Sequence, residues 1–488
     1  MGEGKKVVKN SIIYVLLGFL APAVNFFLIP IYTKELSPAD FGIITLAALV
    51  VSVLINIIGL GVQGSFTRYY YHYLEDKKKI AELLSSSILV VLGSAAAIGI
   101  FAFFTGEQLF RLSFKNELFT YSIYGLSIVI TAAAMNIQTL TSAYFRNEEN
   151  VKAYCFWSVF FFLSVVVGIF LGVVVLKRGA IGSVNGRMWG CLVPSLAFIV
   201  YFYFKHPLVW TTPLVRELLK YGWPLVLYTS ITLAFNSIDK VVIERFFSLD
   251  ALGIYGFAYL VATVVEVLIT ALNNSVNPQV YRLLKQNDED AFVQIKRTLN
   301  NSFLALLLLM SLMIAFANPL ITIFINSNYH KVIFYLPLLI LSYIPRLFFI
   351  YYSIPLYYYH KTKVLPLQSA ISLILGIGYN LLLIPYLGIY GVCIALFLTR
   401  LTQCLLAYII CKKLRLFPSQ AFDLTHSHKA SFLVLLVACV AIVAQPNLNA
   451  FWQVWLYTGI FITILPFLFY KYYTQFKELT GRLTFLNR

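Results

Sequence analysis

The sequence predicts an all-α polytopic membrane protein with 14 transmembrane helices, arranged as two six-helix lobes related by an internal repeat and two further C-terminal helices. Composition is the first observation behind this fold class: 60% of the 488 residues are apolar, 12% are charged, and the mean hydropathy is +0.82. Soluble domains carry roughly 25% charged residues. The other two observations are the lengths of the apolar segments and a repeat at a fixed offset.

The basic residues and the cysteines disfavour several partners and cofactors. The net charge is +17, but the Lys and Arg residues are spread over short loops and form no single patch, which disfavours nucleic acid as a partner. All six cysteines fall within apolar segments, at spacings that match no zinc or redox pattern. We therefore predict no disulfide, no metal site and no cofactor.

The apolar segments predict the number of helices, since a membrane-spanning helix needs about 20 mostly apolar residues. The first segment is too long for a signal-peptide core and no cleavage pattern follows it, so we expect a retained helix. Fourteen segments qualify: 10–32, 41–64, 80–104, 118–144, 154–176, 184–204, 219–244, 252–277, 298–325, 333–358, 364–384, 389–411, 429–445 and 452–473.

The distribution of Lys and Arg predicts the orientation, because cytoplasmic loops are enriched in both. With a cytoplasmic N-terminus, 26 of the 37 basic residues lie on the cytoplasmic side and eight on the outer side, Arg187 among the eight. Lys240, Arg346 and Arg400 remain inside the membrane. Both termini are therefore predicted to be cytoplasmic. The longest loop, 278–297, is too short for a soluble catalytic domain, which disfavours an enzyme.

An internal repeat relates the two halves of the chain at an offset of 211 residues, which falls to 209 late in each half. Transporters are often built from such repeats. The equivalent residues are Asn25 with Asn236, Gly42-Ile43 with Gly253-Ile254, Tyr70 with Tyr281, and Gly179–Gly182 with Gly388–Gly391. The predicted divisions are an N-terminal lobe 1–204, a cytoplasmic linker 205–218, a C-terminal lobe 219–413, and helices 13 and 14 with a tail over 414–488.

Several short motifs carry a resemblance to a known family. They follow a basic start and comprise Asn25, Pro30, Tyr32, the run Leu36-Ser37-Pro38-Ala39-Asp40-Phe41-Gly42-Ile43, then Gly59-Leu60-Gly61 and Arg68-Tyr69-Tyr70. With the glycine turns before helices 6 and 12, the whole chain resembles the polysaccharide transporters, or O-antigen (Wzx-type) flippases, of the multidrug/oligosaccharidyl-lipid/polysaccharide (MOP) exporter superfamily.

The resemblance implies two lobes around a cavity that opens alternately to each side of the bacterial inner membrane. It implies export of oligosaccharide linked to undecaprenyl diphosphate, in contact with membrane lipid and with a polysaccharide polymerase complex. Fourteen helices favour such flippases over the usual twelve-helix multidrug exporters of the superfamily. Two alternatives remain open, namely a multidrug or cation antiporter of the same superfamily and a membrane glycosyltransferase or polysaccharide polymerase.

Ionisable residues deep in a membrane are functional candidates because they are costly to bury there. Glu266 shares a face of its helix with several Tyr, Thr and Asn residues, and such a polar stripe is expected to face a wet cavity. We predict that Glu266 couples an ion to transport, together with Asp239. The alternative is that Glu266 is a structural partner of an Arg.

Three deep cations are candidates for binding the diphosphate, since guanidinium groups match phosphate oxygens. Arg346 and Arg400 are predicted to address one site near the membrane midplane, unless either neutralises Glu266 instead. Lys240 follows Asn236 and Asp239 on one face of helix 7, where it forms an outer gate or extends to the interface. Three further candidates for the substrate cavity are Arg68, Asn25 and Asn236.

Overall fold

The protein is an all-α membrane protein. The computed structural model describes residues 20–286 and 288–416, with a few isolated positions outside these ranges, and regular structure within them is helical throughout. The helices are α1 Leu20–Phe27, α2 Ile29–Glu35, α3 Pro38–Gly59, α4 Val62–His72, α5 Lys77–Ser113, α6 Tyr121–Asn147, α7 Val151–Phe170, α8 Gly179–Lys205, α9 Thr212–Phe246, α10 Leu249–Gln286, α11 Glu289–Phe324, α12 Val332–Leu341, α13 Tyr343–Tyr358 and α14 Val364–Lys413.

Ten helical stretches of the described chain are long and apolar enough to cross a membrane. The last of them, α14, has 50 residues and would extend about 75 Å if straight, far beyond a hydrocarbon core of about 30 Å. It instead folds back at Gly388, whose φ is +56°, and the hydroxyls of Tyr379 and Thr402 meet at 3.1 Å across the two arms. The two arms therefore match predicted helices 11 and 12.

The predicted fold class is confirmed, whereas the count of 14 helices and the position of the termini stay predictions. Predicted helices 13 and 14, and the N-terminal part of the first, lie outside the described residues. The described helices from Pro38 to Lys413 correspond to predicted helices 2 to 12.

Hydrogen bonds of Ser37 and Asp40 define the turn before α3. Ser37 caps α3, because its hydroxyl accepts from the backbone N–H of Asp40 while the Asp40 carboxylate accepts from the backbone N–H of Ser37. The other carboxylate oxygen of Asp40 accepts from the N–H of Ala180, directly after Gly179, whose φ is +55°. One Asp therefore fixes the starts of both α3 and α8.

The two halves of the chain meet where α3 crosses α10. Gly42 and Gly253 lie at this crossing, each against backbone of the opposite helix. Beside it, the Tyr329 hydroxyl donates to the carbonyls of Leu36 and Ser37 at 3.1 and 2.9 Å. We call this end of the bundle the Gly42 end. The opposite end, which carries among others Arg68, Lys77–Lys79, Lys412 and Lys413, is the basic end.

The halves also touch at the basic end, around the chain that connects them. The Ser65 hydroxyl of α4 donates to the carbonyl of Leu218 in α9 at 2.7 Å, and Tyr73 donates to the Glu217 carboxylate at 3.0 Å. The non-helical connection between α8 and α9 spans 206–211, inside the predicted linker. The domain boundaries themselves stay a prediction.

Candidate functional site

The first group of predicted site residues lies where α9 packs on α10. The Lys240 ammonium is 3.4 Å from the carboxylate of Asp239 and 3.7 Å from the centre of the Tyr259 ring. The Tyr255 hydroxyl donates to the second carboxylate oxygen of Asp239, whose side chain is 2% exposed. Asp239 and Lys240 therefore neutralise each other within this cluster.

The second group joins α10 to α13. The Arg346 guanidinium donates to the Glu266 carboxylate at 3.1 Å, although the two residues are 80 positions apart in sequence. Both side chains are partly accessible, 26% for Arg346 and 35% for Glu266. Of the alternatives that the sequence left open for Glu266, the structure shows the ion pair with an Arg. The two side chains are therefore not fully enclosed by the described helices.

Arg400 differs from the other two deep cations because its partners are neutral. Its guanidinium donates to the Ser342 hydroxyl at 2.6 Å and lies 4.1 Å from the centre of the Tyr343 ring. The residue is 2% exposed, and its Nε has no hydrogen-bond acceptor among the described residues. An isolated buried charge is strongly disfavoured in a low-dielectric interior. Arg400 is therefore the strongest candidate in this half for a group that meets an anion.

Five charged residues lie deep in the C-terminal half, apart from Glu244, which is buried near the Gly42 end of α9, and they leave one positive charge without an ion-pair partner. Asp239 pairs with Lys240, and Glu266 pairs with Arg346, while no described carboxylate lies within ion-pair distance of Arg400. Attraction between Arg400 and the ring of Tyr343 offsets only part of the desolvation cost, since a cation–π contact contributes about 0.5–2 kcal/mol. These five residues together therefore carry one net positive charge.

A polar seam continues from Arg400 between the two arms of α14. The amide of Gln403 donates to the Ser369 hydroxyl at 3.3 Å across the arms. Several buried polar atoms along the seam have no partner among the described residues, namely both side-chain amide atoms of Gln368, the Ser372 hydroxyl, Oδ1 of Asn380 and Oε1 of Gln403. Buried polar groups are normally satisfied by protein or by ordered water. We infer that water completes this seam.

The N-terminal half contains a cation that sequence reasoning placed wrongly. Arg187 was assigned to the outer side, but it lies inside α8 and donates to the side-chain oxygen of Asn25 at 2.6 Å. The two line a small cavity of about 60 Å³ with Gln138, Ser158 and Cys191. No carboxylate within the described part of the chain pairs with Arg187. The turn at Gly179 is the sequence feature that indicates the position of Arg187, because α8 starts there, two turns before Arg187.

Arg187 and Arg400, the two arginines without a carboxylate partner among the described residues, lie at similar positions after Gly179 and Gly388. Both glycines have positive φ, +55° and +56°, and both precede the last helix of a six-helix unit at the Gly42 end. Arg187 follows its glycine by eight residues and Arg400 by twelve. At 1.5 Å per residue the two lie about 12 and 18 Å into the bundle, one helical turn apart in depth.

The side chains of the two remaining predicted site residues do not join these clusters, although the carbonyl of Asn236 accepts from the Lys240 ammonium at 3.4 Å. The amide of Asn236 donates to the carbonyl of Thr232 in its own helix at 2.9 Å. Arg68 is exposed at the basic end, with its guanidinium 4.4 Å from the centre of the Tyr221 ring. Arg68 therefore joins α4 to α9 at the entrance of the bundle and does not reach the deep charges.

Two membrane transporters of known structure share the fold of this chain. The inward closed lipid II flippase MurJ is 17% identical, with a TM-score of 0.67, over 94% of this chain and 99% of MurJ. An inward-facing MATE-family multidrug transporter of the MOP superfamily is 15% identical, with a TM-score of 0.66, over 81% of this chain and 94% of that one.

The chain belongs to the polysaccharide biosynthesis protein family, whose model matches residues 7–284, more than half of its length. It is also similar to Lsg locus putative protein 1 of Haemophilus influenzae, with 24% identity over 79% of this chain and 95% of that protein. These similarities confirm the resemblance seen in the sequence. The protein is accordingly a multi-pass membrane protein of the polysaccharide biosynthesis family, and its fold is that of the MurJ and MATE structures.

Proposed function

We propose that this protein moves an oligosaccharide linked to undecaprenyl diphosphate from the cytoplasmic to the outer leaflet of the bacterial inner membrane by alternating access. The observation that carries the proposal is the uncompensated positive charge inside the bundle, held by Arg187 in one half and Arg400 in the other. A diphosphate is the strongly anionic part of such a substrate, and forked guanidinium donors match its oxygens.

The depths of the two arginines suggest a path for the headgroup. With the basic end in the cytoplasm, Arg68 is one of the cations that an entering diphosphate meets at that end. Arg400 lies deeper, Arg187 lies about one turn closer to the Gly42 end, and Lys240 lies six residues before the end of α9 on that side. Successive sites of this kind let an anion replace its lost hydration at each step. A polymerase complex would receive the product at the outer leaflet.

The Glu266–Arg346 pair supplies a means of coupling. Arg346 is partly exposed and 3.1 Å from Glu266, so an arriving phosphate competes for the same guanidinium. When Arg346 turns to the phosphate, the Glu266 carboxylate loses its partner and takes up a proton or another cation. Asp239, bound to Lys240 and Tyr255, is placed to respond in the same way when the headgroup reaches Lys240.

A multidrug or cation antiporter with the same fold is the competing function. Such a protein would need a surplus of carboxylates in its interior, because its substrates are cations. The interior of this protein instead has a surplus of positive charge. A competitive test separates the two: an anionic diphosphate-linked substrate, and not an organic cation, should protect the purified protein against thermal unfolding.

Deletion of the gene in its native host tests the proposal directly. We expect a lipid-linked oligosaccharide to accumulate in the cytoplasmic leaflet, and wild-type protein to restore its export. Labelling from outside the cell tests the direction, with single cysteines at Lys79 of the basic end and Lys177 of the Gly42 end. Labelling at position 79 and not at 177 would overturn the proposed orientation.

A further inference from the structure

Two cavities of opposite character share a wall at the Gly42 end. A polar cavity of about 530 Å³ surrounds the loop between α5 and α6. An apolar cavity of about 480 Å³ lies between α3, α5 and α6 and reaches Val241 of α9. Phe110 and Phe114 line both. We call these two adjoining cavities the recess; it has a polar part and an apolar part, as an amphiphilic molecule requires.

The apolar part has the length of a lipid tail. Along α5 it is lined from Ile98 to Ser113, a rise of about 22 Å, which exceeds the half-thickness of about 15 Å of a hydrocarbon core. The wall is shaped by Tyr121, whose ring packs directly against Gly106 and Gly125. Any side chain at either glycine would displace this ring. The recess is therefore built into the packing of α5 on α6.

The polar part carries two charges of each sign. Glu107 and Glu117 provide carboxylates, and Arg111 and Lys115 provide cations. Arg111 lies 3.4 Å from Glu107, but with the Arg side chain 80% exposed this pair contributes little to stability and is readily exchanged. Such a set suits a headgroup that contains both a phosphate and an amine.

We propose that the recess binds one phospholipid with a zwitterionic, amine-bearing headgroup of the phosphatidylethanolamine type. Its phosphate would contact Arg111 and Lys115, its ammonium would contact Glu117, and one acyl chain would fill the apolar part. A polyprenyl diphosphate fits less well, because its diphosphate would face Glu107 and Glu117 without an ammonium group to satisfy them. Arg187, Arg400 and Lys240 do not line the recess, although its wall residue Val241 directly follows Lys240 in α9. The inference does not depend on the proposed transport function.

The position of the recess gives the lipid a mechanical role. The backbone N–H groups of Lys115 and Asn116 donate to the carboxylate of Glu244 at 2.6 and 3.0 Å, and Glu244 is 3% exposed. Glu244 belongs to α9 in the other half of the chain, one turn after Val241. A lipid in the recess would therefore brace the loop that ties the two halves together at the Gly42 end.

Native mass spectrometry of the purified full-length protein tests the site, with phosphatidylethanolamine and phosphatidylglycerol of identical acyl chains as probes. We expect the wild type to bind the first about tenfold more tightly, a difference of about 1.4 kcal/mol. Ala102→Trp fills the apolar part and should weaken both lipids by about tenfold. Its control is Ala97→Trp, on an exposed position of the same helix.

A second variant examines the headgroup without touching the packing. Glu117 is exposed, and Glu117→Lys should abolish the preference for phosphatidylethanolamine, whereas Glu148→Lys at the basic end should preserve it. Equal binding of the two lipids by the wild type, or an unchanged preference in Glu117→Lys, would overturn the headgroup assignment. Ala102→Trp binding lipid as well as Ala97→Trp would overturn the recess itself.

Discussion

Gly42 and Gly253 occupy equivalent positions of the internal repeat and lie against each other where α3 crosses α10. A Cβ on Gly42 would overlap the carbonyl oxygen of Leu249, and a Cβ on Gly253 would overlap that of Pro38. Pro38 and Leu249 are themselves equivalent, at the same offset of 211 residues. The contact is therefore reciprocal, and small residues let the two backbones approach closely, as at other helix crossings in membranes.

We predict that Gly253→Ala separates the halves at the Gly42 end. The obstructing atom is a backbone carbonyl, which cannot rotate away, so the helices must shift at a cost of about 1–3 kcal/mol. The melting temperature of the protein in detergent should fall. Cysteines introduced at the Gly42 end should become accessible to thiol reagents added outside the cell. Gly93→Ala is the matched control, because nothing lies within 4 Å of its added methyl group. Equal melting temperatures for the two variants would contradict the prediction.

Arg400 should be essential for transport. Arg400→Ala removes the uncompensated buried charge, so we expect loss of complementation in the deletion strain while the protein still inserts, and Arg400→Lys should restore little because an ammonium lacks the fork. Lipid-linked sugar retained in the cytoplasmic leaflet is the measurement. Arg282→Ala, at an exposed position of the basic end, should export normally. Full export by Arg400→Ala would show that Arg400 does not bind the diphosphate during transport.

The Glu266–Arg346 pair distinguishes a structural role from a transport role. If Arg346 only neutralises Glu266, the double variant Glu266→Gln with Arg346→Gln keeps a balanced interior and should recover the activity that either single variant loses. We expect no recovery, because the diphosphate also uses Arg346. The export rates of the wild type, the two single variants and the double variant form the double-mutant cycle that measures this coupling. Recovery in the double variant would assign Arg346 to structure alone.

Arg187 should matter although sequence reasoning placed it outside the membrane. Arg187→Leu leaves Asn25 without its partner in a cavity of about 60 Å³ and removes the positive charge of the N-terminal half. We expect export to fall at least about tenfold, equivalent to about 1.4 kcal/mol in the barrier. Arg178→Leu, exposed nine residues earlier, is the control. An equal, small effect of both substitutions would contradict the prediction.

The membrane-spanning segments were predictable because the bilayer imposes a local rule. Each span must be apolar for about 20 residues and must satisfy its own backbone hydrogen bonds, so the helices from Pro38 to Lys413 are visible in the order of residues alone. The repeat located Gly42 and Gly253 as equivalent positions near the starts of two helices, and Gly179 and Gly388 as equivalent turns. Deep ionisable residues stood out as well, since few charges interrupt the apolar segments.

The partners of those residues were decided by the tertiary structure alone. Glu266 and Arg346 are 80 positions apart, and Asn25 and Arg187 are 162 apart, so no local pattern joins them. Electrostatic attraction and desolvation depend on distances that only the packing of helices sets. The sequence alone indicated most of the charges that enter the membrane, but it counted Arg187 on the outer side. The fold decided which of them are neutralised and which two, Arg187 and Arg400, remain without a carboxylate among the described residues.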